Sequence, residues 1–455
     1  MPEPVVIVGG GISGLSAAYY LNKAGVPVRL IERSARLGGV IATDMVDGCL
    51  VEGGPDSFLS AKPAAMELIR EVGLEADVIG SNDHQRVTYI RRGGKLVPLP
   101  DGMMMMVPTR VMPMVGSGLL SLSTKIRMGL EWFRKPEEVA QDRSVAEFIR
   151  EHYGQETVDY LAEPLLAGVY GGDPEKLSAA SVLPRFVEFE RKYGSLTRGT
   201  LAEMLQSGGK PMGAAQPAKP SIFRTLKHGM GSLVNAVEKR LDRTERITGE
   251  VEAVEEGRVR VRGEWVAASH VVVACPAHAA AKLLPIAELA GIPYSSSMTV
   301  ALGFRREQLR SLPKGFGFLV PAKERKRLVA CTFTGTKFAH RVPEGMELLR
   351  CFLGGSGDEA VLSLLDDQVV RVVLDELREI CGLTAQPEFT RISRWPRSMA
   401  QYTVGHAARV KRINEAAAKT PWLQLAGNAY NGIGIPDCIA LSKSVAESIT
   451  APPPI

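Results

Sequence analysis

At 455 residues the chain is too long for a single hydrophobic core, so two or three domains are expected. Its 55 basic and 50 acidic side chains leave a net charge of only +5, which argues against a nucleic-acid partner. The six cysteines at 49, 275, 331, 351, 381 and 438 form no CxxC pair, which excludes a zinc or disulfide framework and fits reduced thiols in a cytoplasmic protein.

No basic segment precedes the first apolar run at Pro4, so no leader peptide is expected. No uninterrupted apolar stretch reaches about 18 residues, the length a membrane-spanning helix needs. The nearest one, Met103 to Leu122, is broken by Pro108, Arg110 and Pro113.

The chain opens on an apolar run, Pro4 to Val8, followed at once by Gly9, Gly10, Gly11, Ile12, Ser13 and Gly14. A helical pattern runs from Leu15 to Ala24, Gly25 stops it, and a second apolar run, Val28–Ile31, ends on Glu32. Strand, glycine turn, helix, strand and acid form the dinucleotide fingerprint in its full context. Gly9 permits the tight turn, Gly11 lets a pyrophosphate approach the backbone, and Gly14 lets helix and sheet pack closely. The helix start offers unpaired N–H groups and partial positive charge to phosphate, and Glu32 suits a ribose hydroxyl.

Further along, 63–80 reads as a helix with Gly73 near its end, and Val87–Ile90 with Lys95–Val97 as a hairpin. Residues 115–206 are mostly helical in pattern, with a capping box at Ser144 and Glu147. Ser207 to Ser221 is rich in Gly, Pro, Ala and Lys and reads as a flexible excursion. A helix runs from His228 to about Leu241, followed by a hairpin of Arg246–Val254 with Arg258–Val261 and an apolar strand, His270–Cys275. Met298–Phe304, Gly317–Val320, Leu328–Thr334 and Glu347–Leu353 alternate like strands of one antiparallel sheet. A helix covers about Asp366–Ile380. An apolar strand, Trp422–Ala426, leads through a second glycine-rich loop, Gly427 to Cys438, into a last helix. Pro436 suits that helix's first turn, and its N-terminus could stabilise negative charge on a reduced ring.

Arg36-Leu37-Gly38-Gly39 and Gly54-Pro55-Asp56-Ser57 resemble the glycine-doublet extensions of flavin amine oxidases and related FAD proteins. Adding Gly168-Val169-Tyr170-Gly171-Gly172-Asp173, Trp395-Pro396, Gln401-Tyr402, Gly405-His406 and Gly427 to Cys438, nearly the whole chain resembles the protoporphyrinogen/coproporphyrinogen oxidases, oxygen-dependent FAD enzymes of haem synthesis. Ile435-Pro436-Asp437-Cys438-Ile439, Thr332-Phe333-Thr334 and the stretch from Pro343 to Glu359 are similar to the soluble coproporphyrinogen III oxidases of Gram-positive-type pathways.

The resemblance implies an α/β fold. It comprises a split Rossmann-like FAD-binding domain of the flavin amine oxidase/hydroxybenzoate hydroxylase type, an antiparallel-sheet substrate domain and a helical lobe. The expected FAD-binding parts are 1–62, 222–283 and 392–455; the substrate parts are 63–98 and 284–391; the helical lobe is 99–206. Carried over by position, FAD contacts fall on Gly9 to Gly14, Glu32, Arg33, Val40, Gly54, Pro55, Asp56, Ser57, Val251, Trp395, Ile433, Gly434 and Ile435.

The implied reaction is a six-electron oxidation of a porphyrinogen in three cycles, each passing a hydride to flavin and releasing hydrogen peroxide from molecular oxygen. No protein nucleophile or metal is needed, and the sequence holds no Ser/His/Asp signature, no HExxH and no Cys/His metal spacing. Leu165, Gly168 and Tyr170 match positions lining the substrate slot, and Gly168 would let the macrocycle sit against backbone. Arg86 matches an arginine meeting a propionate, and Lys62, Arg92, Arg110 and Lys337 are further basic candidates. Met103–Met106 has three readings: a peripheral membrane patch, an apolar lid, or ordinary packing. The partners implied are the porphyrinogen, oxygen, a membrane surface and a downstream haem-pathway enzyme that takes the product. Protoporphyrinogen oxidation, a flavin amine oxidase or desaturase, and a non-catalytic FAD-binding regulator are the alternatives.

Overall fold

The computed structural model describes residues 3–136, 141–206 and 221–451. The segment 207–220, expected to be a flexible excursion, lies outside the described residues.

The N-terminal apolar run forms the central strand of a five-stranded sheet. Val5–Val8 is buried along its whole length, as a strand covered on both faces requires. Its neighbours are Val28–Glu32 on one side and His270–Val273 on the other, flanked by Thr244–Thr248 and Leu423–Leu425. All four pairings are parallel. Three stretches far apart in sequence therefore close one sheet. The helix Ile12–Lys23 is buried almost throughout, although its own polarity pattern is weak. Leu15, Ala18 and Leu21 pack among Leu233 and Val237, and against Ile439 and Val445 of the C-terminal helix Ile435–Thr450.

A seven-stranded sheet forms the second layer. Its order is Phe389–Ala400, Tyr294–Arg305, Met346–Gly354, Ala330–Phe333, Gly317–Leu319, Thr88–Arg92 and Lys95–Pro98. The expected antiparallel sheet is thus larger, and one pairing, Gly317–Leu319 with Thr88–Ile90, is parallel. The helix Asp366–Cys381 covers it through Val369, Val373, Leu377 and Ile380. The helical lobe has its own core around Phe148, Ile149, Tyr153, Leu161 and Phe186. The capping box forms as expected: Ser144 Oγ accepts from Glu147 N, and the Glu147 carboxylate accepts from Ser144 N.

Several expectations need correction. Only Pro63–Glu71 of 63–80 is α-helical; Gly73 has φ +83 and ends it, and Val78–Gly80 pairs as a strand with Phe223–Leu226. Ala65, Leu68 and Ile69 pack in the dinucleotide core, so this helix belongs with the nucleotide side and not with the substrate part assigned to 63–98. The run Arg246–Val254 is two elements: Thr244–Thr248 edges the parallel sheet, and Val251–Glu255 starts a separate antiparallel sheet with Arg258–Val261 and Glu264–Ala267. The boundary expected at 391/392 falls inside the continuous strand Phe389–Ala400, which pairs with Tyr294–Arg305 along its length.

Candidate functional site

Two of the fingerprint glycines exclude a larger residue, for distinct reasons. Gly9 has φ +110 and lies against the Ala274–Cys275 backbone. A Cβ on Gly14 would collide with the Gly9 carbonyl oxygen. Gly11 differs: a Cβ there would meet nothing within 4 Å. It caps the helix Ile12–Lys23 without a side-chain hydrogen bond, so the N–H groups of the first turn have neither a side-chain cap nor an intrahelical partner. That is the cradle a pyrophosphate requires, and the residues fit an adenine dinucleotide. The Glu32 carboxylate stands beside it, accepting from Gly10 N at 2.7 Å and Ser34 N at 2.8 Å. Gly249 N donates to the Glu32 carbonyl, which brings the start of the Val251 strand to the same edge. Arg33 is exposed next to Glu32.

The glycine doublet is tied to this turn. Gly38 N donates to Gly10 O at 2.8 Å, and the Arg36 guanidinium binds the carbonyls of Leu37, Gly39 and Ile41. Gly38 and Gly39 have φ of +100 and +58, conformations that side chains resist. Beyond them Val40 is 39% exposed, unusual for its type. A Cβ on Gly54 would strike the Val40 carbonyl, so the second loop lies directly against the first.

That second loop is held from the seven-stranded sheet. Gly53 O accepts from Trp395 Nε1 and from Thr299 Oγ1, both at 2.7 Å. Trp395 therefore anchors the loop through its N–H and does more than pack. Behind the loop, Glu52 pairs with Arg341 at 2.7 Å in a fully buried contact. Asp56 faces Lys337 at 3.0 Å and Arg350 at 3.7 Å. Burial alone would raise the Asp56 carboxyl, but the two cations, with Ser57 and Lys337 hydrogen bonds, hold it well below the usual carboxylate range.

The C-terminal loop passes through Gly427 and Gly432, with φ +135 and +123, before Gly434 caps the last helix. Pro436 lies in its first turn and Ile433 on the approach to it. Asp437 Oδ2 accepts from Gly434 N at 3.2 Å, and Lys62 Nζ lies 2.6 and 2.7 Å from the two Asp437 oxygens. The two ends of the chain thus converge on one cradle, where sequence reasoning assigned Asp437 no role. Its signal was an acid in the first turn of a helix that starts on glycine.

The slot candidates lie on the helix Glu163–Tyr170, which ends at Gly171 in the left-handed conformation. Gly168 is exposed in the last turn, where helix carbonyls lack intrahelical partners. Leu165 and Tyr170 are half-buried. The Tyr170 hydroxyl is raised above its ordinary value by burial and then by the charge of Asp437, which links this helix end to the C-terminal loop. The basic candidates divide sharply. Lys62, Arg92 and Lys337 pair with Asp437, Glu156 and Asp56. Arg86 and Arg110 are exposed and make no ion pair among the described residues.

An open phosphate cradle, an acid beside it and a C-terminal helix whose first turn packs in the same core define a flavoprotein of the amine-oxidase fold. The family model for flavin-containing amine oxidoreductases matches residues 12–450. Coproporphyrinogen III oxidase of Bacillus subtilis is 36% identical over 98% of both chains, and that of Staphylococcus aureus is 32% identical over 99% of this chain and all of its own. A solved structure from Exiguobacterium sp. 255-15 superposes with a TM-score of 0.88 at 33% identity, over 99% of each chain. The chain belongs to the flavin-containing amine oxidoreductase family, in its coproporphyrinogen III oxidase branch. It is an FAD-dependent oxidase.

Proposed function

We propose that this chain oxidises coproporphyrinogen III to coproporphyrin III in haem biosynthesis, with molecular oxygen as acceptor. The full-length identity to the Bacillus subtilis enzyme carries the reading. The substrate gives up six hydrogens, so three oxygen molecules become three of hydrogen peroxide. Bound FAD supplies the two-electron acceptor for each step.

The residues of the chain bind, orient and shield. The helix start at Gly11 holds the pyrophosphate, and Glu32 holds the ribose. Trp395 and Thr299 fix the Gly53 carbonyl, so the loop from Gly54 to Ser57 presents a rigid wall to a flat ring. The last helix directs its positive end toward the same space, where it favours negative charge. The exposed turn at Gly168 offers backbone to the macrocycle, and Arg86 offers an unpaired cation to a propionate. Lys62 is committed to Asp437 and orders the rim more than it binds an arm. The product passes to a downstream haem-pathway enzyme.

The reading includes peripheral contact with a membrane. No helix among the described residues is long and apolar enough to span one. The methionine run is mostly packing: Met106 is fully buried, Met103 and Met104 lean on the lobe core, and only Met105 is exposed. The exposed apolar side chains lie next door, on Leu122, Ile126 and Leu130 at four-residue spacing, with Val111, Met112 and Phe133. Such a face suits an interfacial helix.

Aerobic incubation with coproporphyrinogen and with protoporphyrinogen, followed by porphyrin fluorescence, tests the reaction. Faster turnover of coproporphyrinogen is expected. Silence with both substrates overturns the function, and preference for protoporphyrinogen overturns the substrate. Flotation with anionic liposomes tests the membrane contact, which Leu122→Asp with Ile126→Asp should abolish.

A further inference from the structure

Gln401 and Tyr402 are consecutive, and their buried side chains reach in two directions. Gln401 Nε2 donates to the Tyr170 carbonyl at 2.7 Å and to Ser295 Oγ at 2.9 Å. Its Oε1 occupies the space that a Cβ on Gly172 would need, so the turn after Tyr170 closes on this amide, with Ser356 N donating to the Gly171 carbonyl at 2.8 Å. Tyr402 reaches the other way. Its hydroxyl donates to the Asn428 carbonyl and accepts from Gly432 N, both at 2.8 Å, bridging the two sides of the C-terminal loop.

The ring of Tyr402 cannot swing away. His406 stacks on it with centroids 3.9 Å apart and planes 12° from parallel. The Tyr402 carbonyl accepts from Ser178 N at 2.7 Å, and the Gln401 N–H donates to Pro293 O at 2.9 Å. The dipeptide is therefore clamped along its backbone while each side chain holds a different wall. One wall is the slot turn at Tyr170–Gly172; the other is the loop Asn428–Gly432, which leads into the helix facing the cofactor cradle. We propose that Gln401 and Tyr402 are a positioning pair that sets the distance between the porphyrinogen slot and the flavin. The inference rests on the function proposed above for the slot side, and on FAD binding alone for the loop side. A misplacement of about 1 Å between reacting groups costs up to about a hundredfold in rate, which gives such a spacer its leverage.

The test uses three variants of the full-length holoenzyme. Tyr402→Phe removes the bridging hydroxyl and keeps the ring on His406. Gln401→Leu removes the donor at similar volume, and the third variant combines both. Anaerobic mixing with coproporphyrinogen reads bleaching of the flavin absorbance. FAD affinity and the visible flavin spectrum are read separately, without substrate. Tyr402→Phe should slow bleaching about tenfold, weaken FAD binding severalfold and shift the spectrum, with KM changed less than about twofold. Gln401→Leu should slow bleaching about as much and leave FAD affinity and spectrum unchanged. The double variant should lose less than the product of the two, because both widen one gap.

Bleaching within about twofold of the parent in both single variants overturns the proposal. A Tyr402→Phe enzyme with unaltered FAD affinity and spectrum, whose rate loss merely follows its melting temperature, overturns it too. If the parent enzyme is bleached by no porphyrinogen, the proposed function fails, while the FAD measurements on Tyr402→Phe still decide the loop side.

Discussion

The cofactor end of the molecule is built from backbone, and the substrate end from side chains that mostly bind one another. At the cofactor end Gly9, Gly11, Gly14 and Gly54 act through what they lack, and the side chains that hold the loops, Glu32, Arg36, Thr299 and Trp395, do so by binding backbone groups. At the substrate end, three of five basic candidates are already neutralised by Asp437, Glu156 and Asp56. A cation on the rim is thus a weak guide to a carboxylate arm until its partners are known. A glycine that no side chain can replace is a strong guide to a close approach.

That contrast can be broken at the cofactor end first. Gly14→Val forces the helix away from the Gly9 carbonyl, so the purified variant should carry no flavin absorbance. Retention of full flavin content would remove the packing argument. Trp395→Phe loses the hydrogen bond to Gly53 O together with part of the ring that packs beside Gly53; with the bond at about 1–2 kcal/mol, FAD affinity should fall at least about tenfold, measured by flavin fluorescence quenching.

At the substrate end the effects should be smaller. Lys62→Gln and Asp437→Asn should each lower turnover severalfold, and the double variant no further, since one pair is lost in each case. Additive losses would mean that Lys62 also binds substrate. Arg86→Ala should raise KM a few-fold and leave kcat alone; an unchanged KM removes its propionate role.

A pH series sharpens the comparison without touching the reaction. Asp56 is held well below the ordinary carboxylate range by Lys337 and Arg350. Its contribution is complete above the unfolded value of about 4 and is lost as pH falls through the lower folded value. Asp56→Asn should therefore lower the melting temperature near neutrality and flatten its decline on acidification below about pH 4. A parallel shift of the whole curve would show that the pair gives no pH-linked stability.

The local parts of this protein were legible. Val5–Val8, the glycine turn and Glu32 lie within one βαβ unit, so their geometry follows from neighbours a few residues away. The capping box at Ser144 was legible for the same reason. The strand Arg246–Val254 was misread because its alternation is continuous while its two halves join different sheets. The boundary near 391 failed because one strand serves as sheet edge and carries Trp395 to the Gly53 loop.

Sequence alone determined the cofactor class and the order of the elements, because glycine turns, caps and apolar runs are encoded within a few residues. Only the tertiary structure decided which charges are free and which loops share a wall. Lys62 meets Asp437 across 375 positions, and Gln401 meets the Tyr170 carbonyl across 231. No periodicity encodes such pairs. The buried Gln401 amide has no solvent to bind, so the fold must bring it a partner, whereas the half-exposed Lys62 meets Asp437 because the fold sets the two charges side by side.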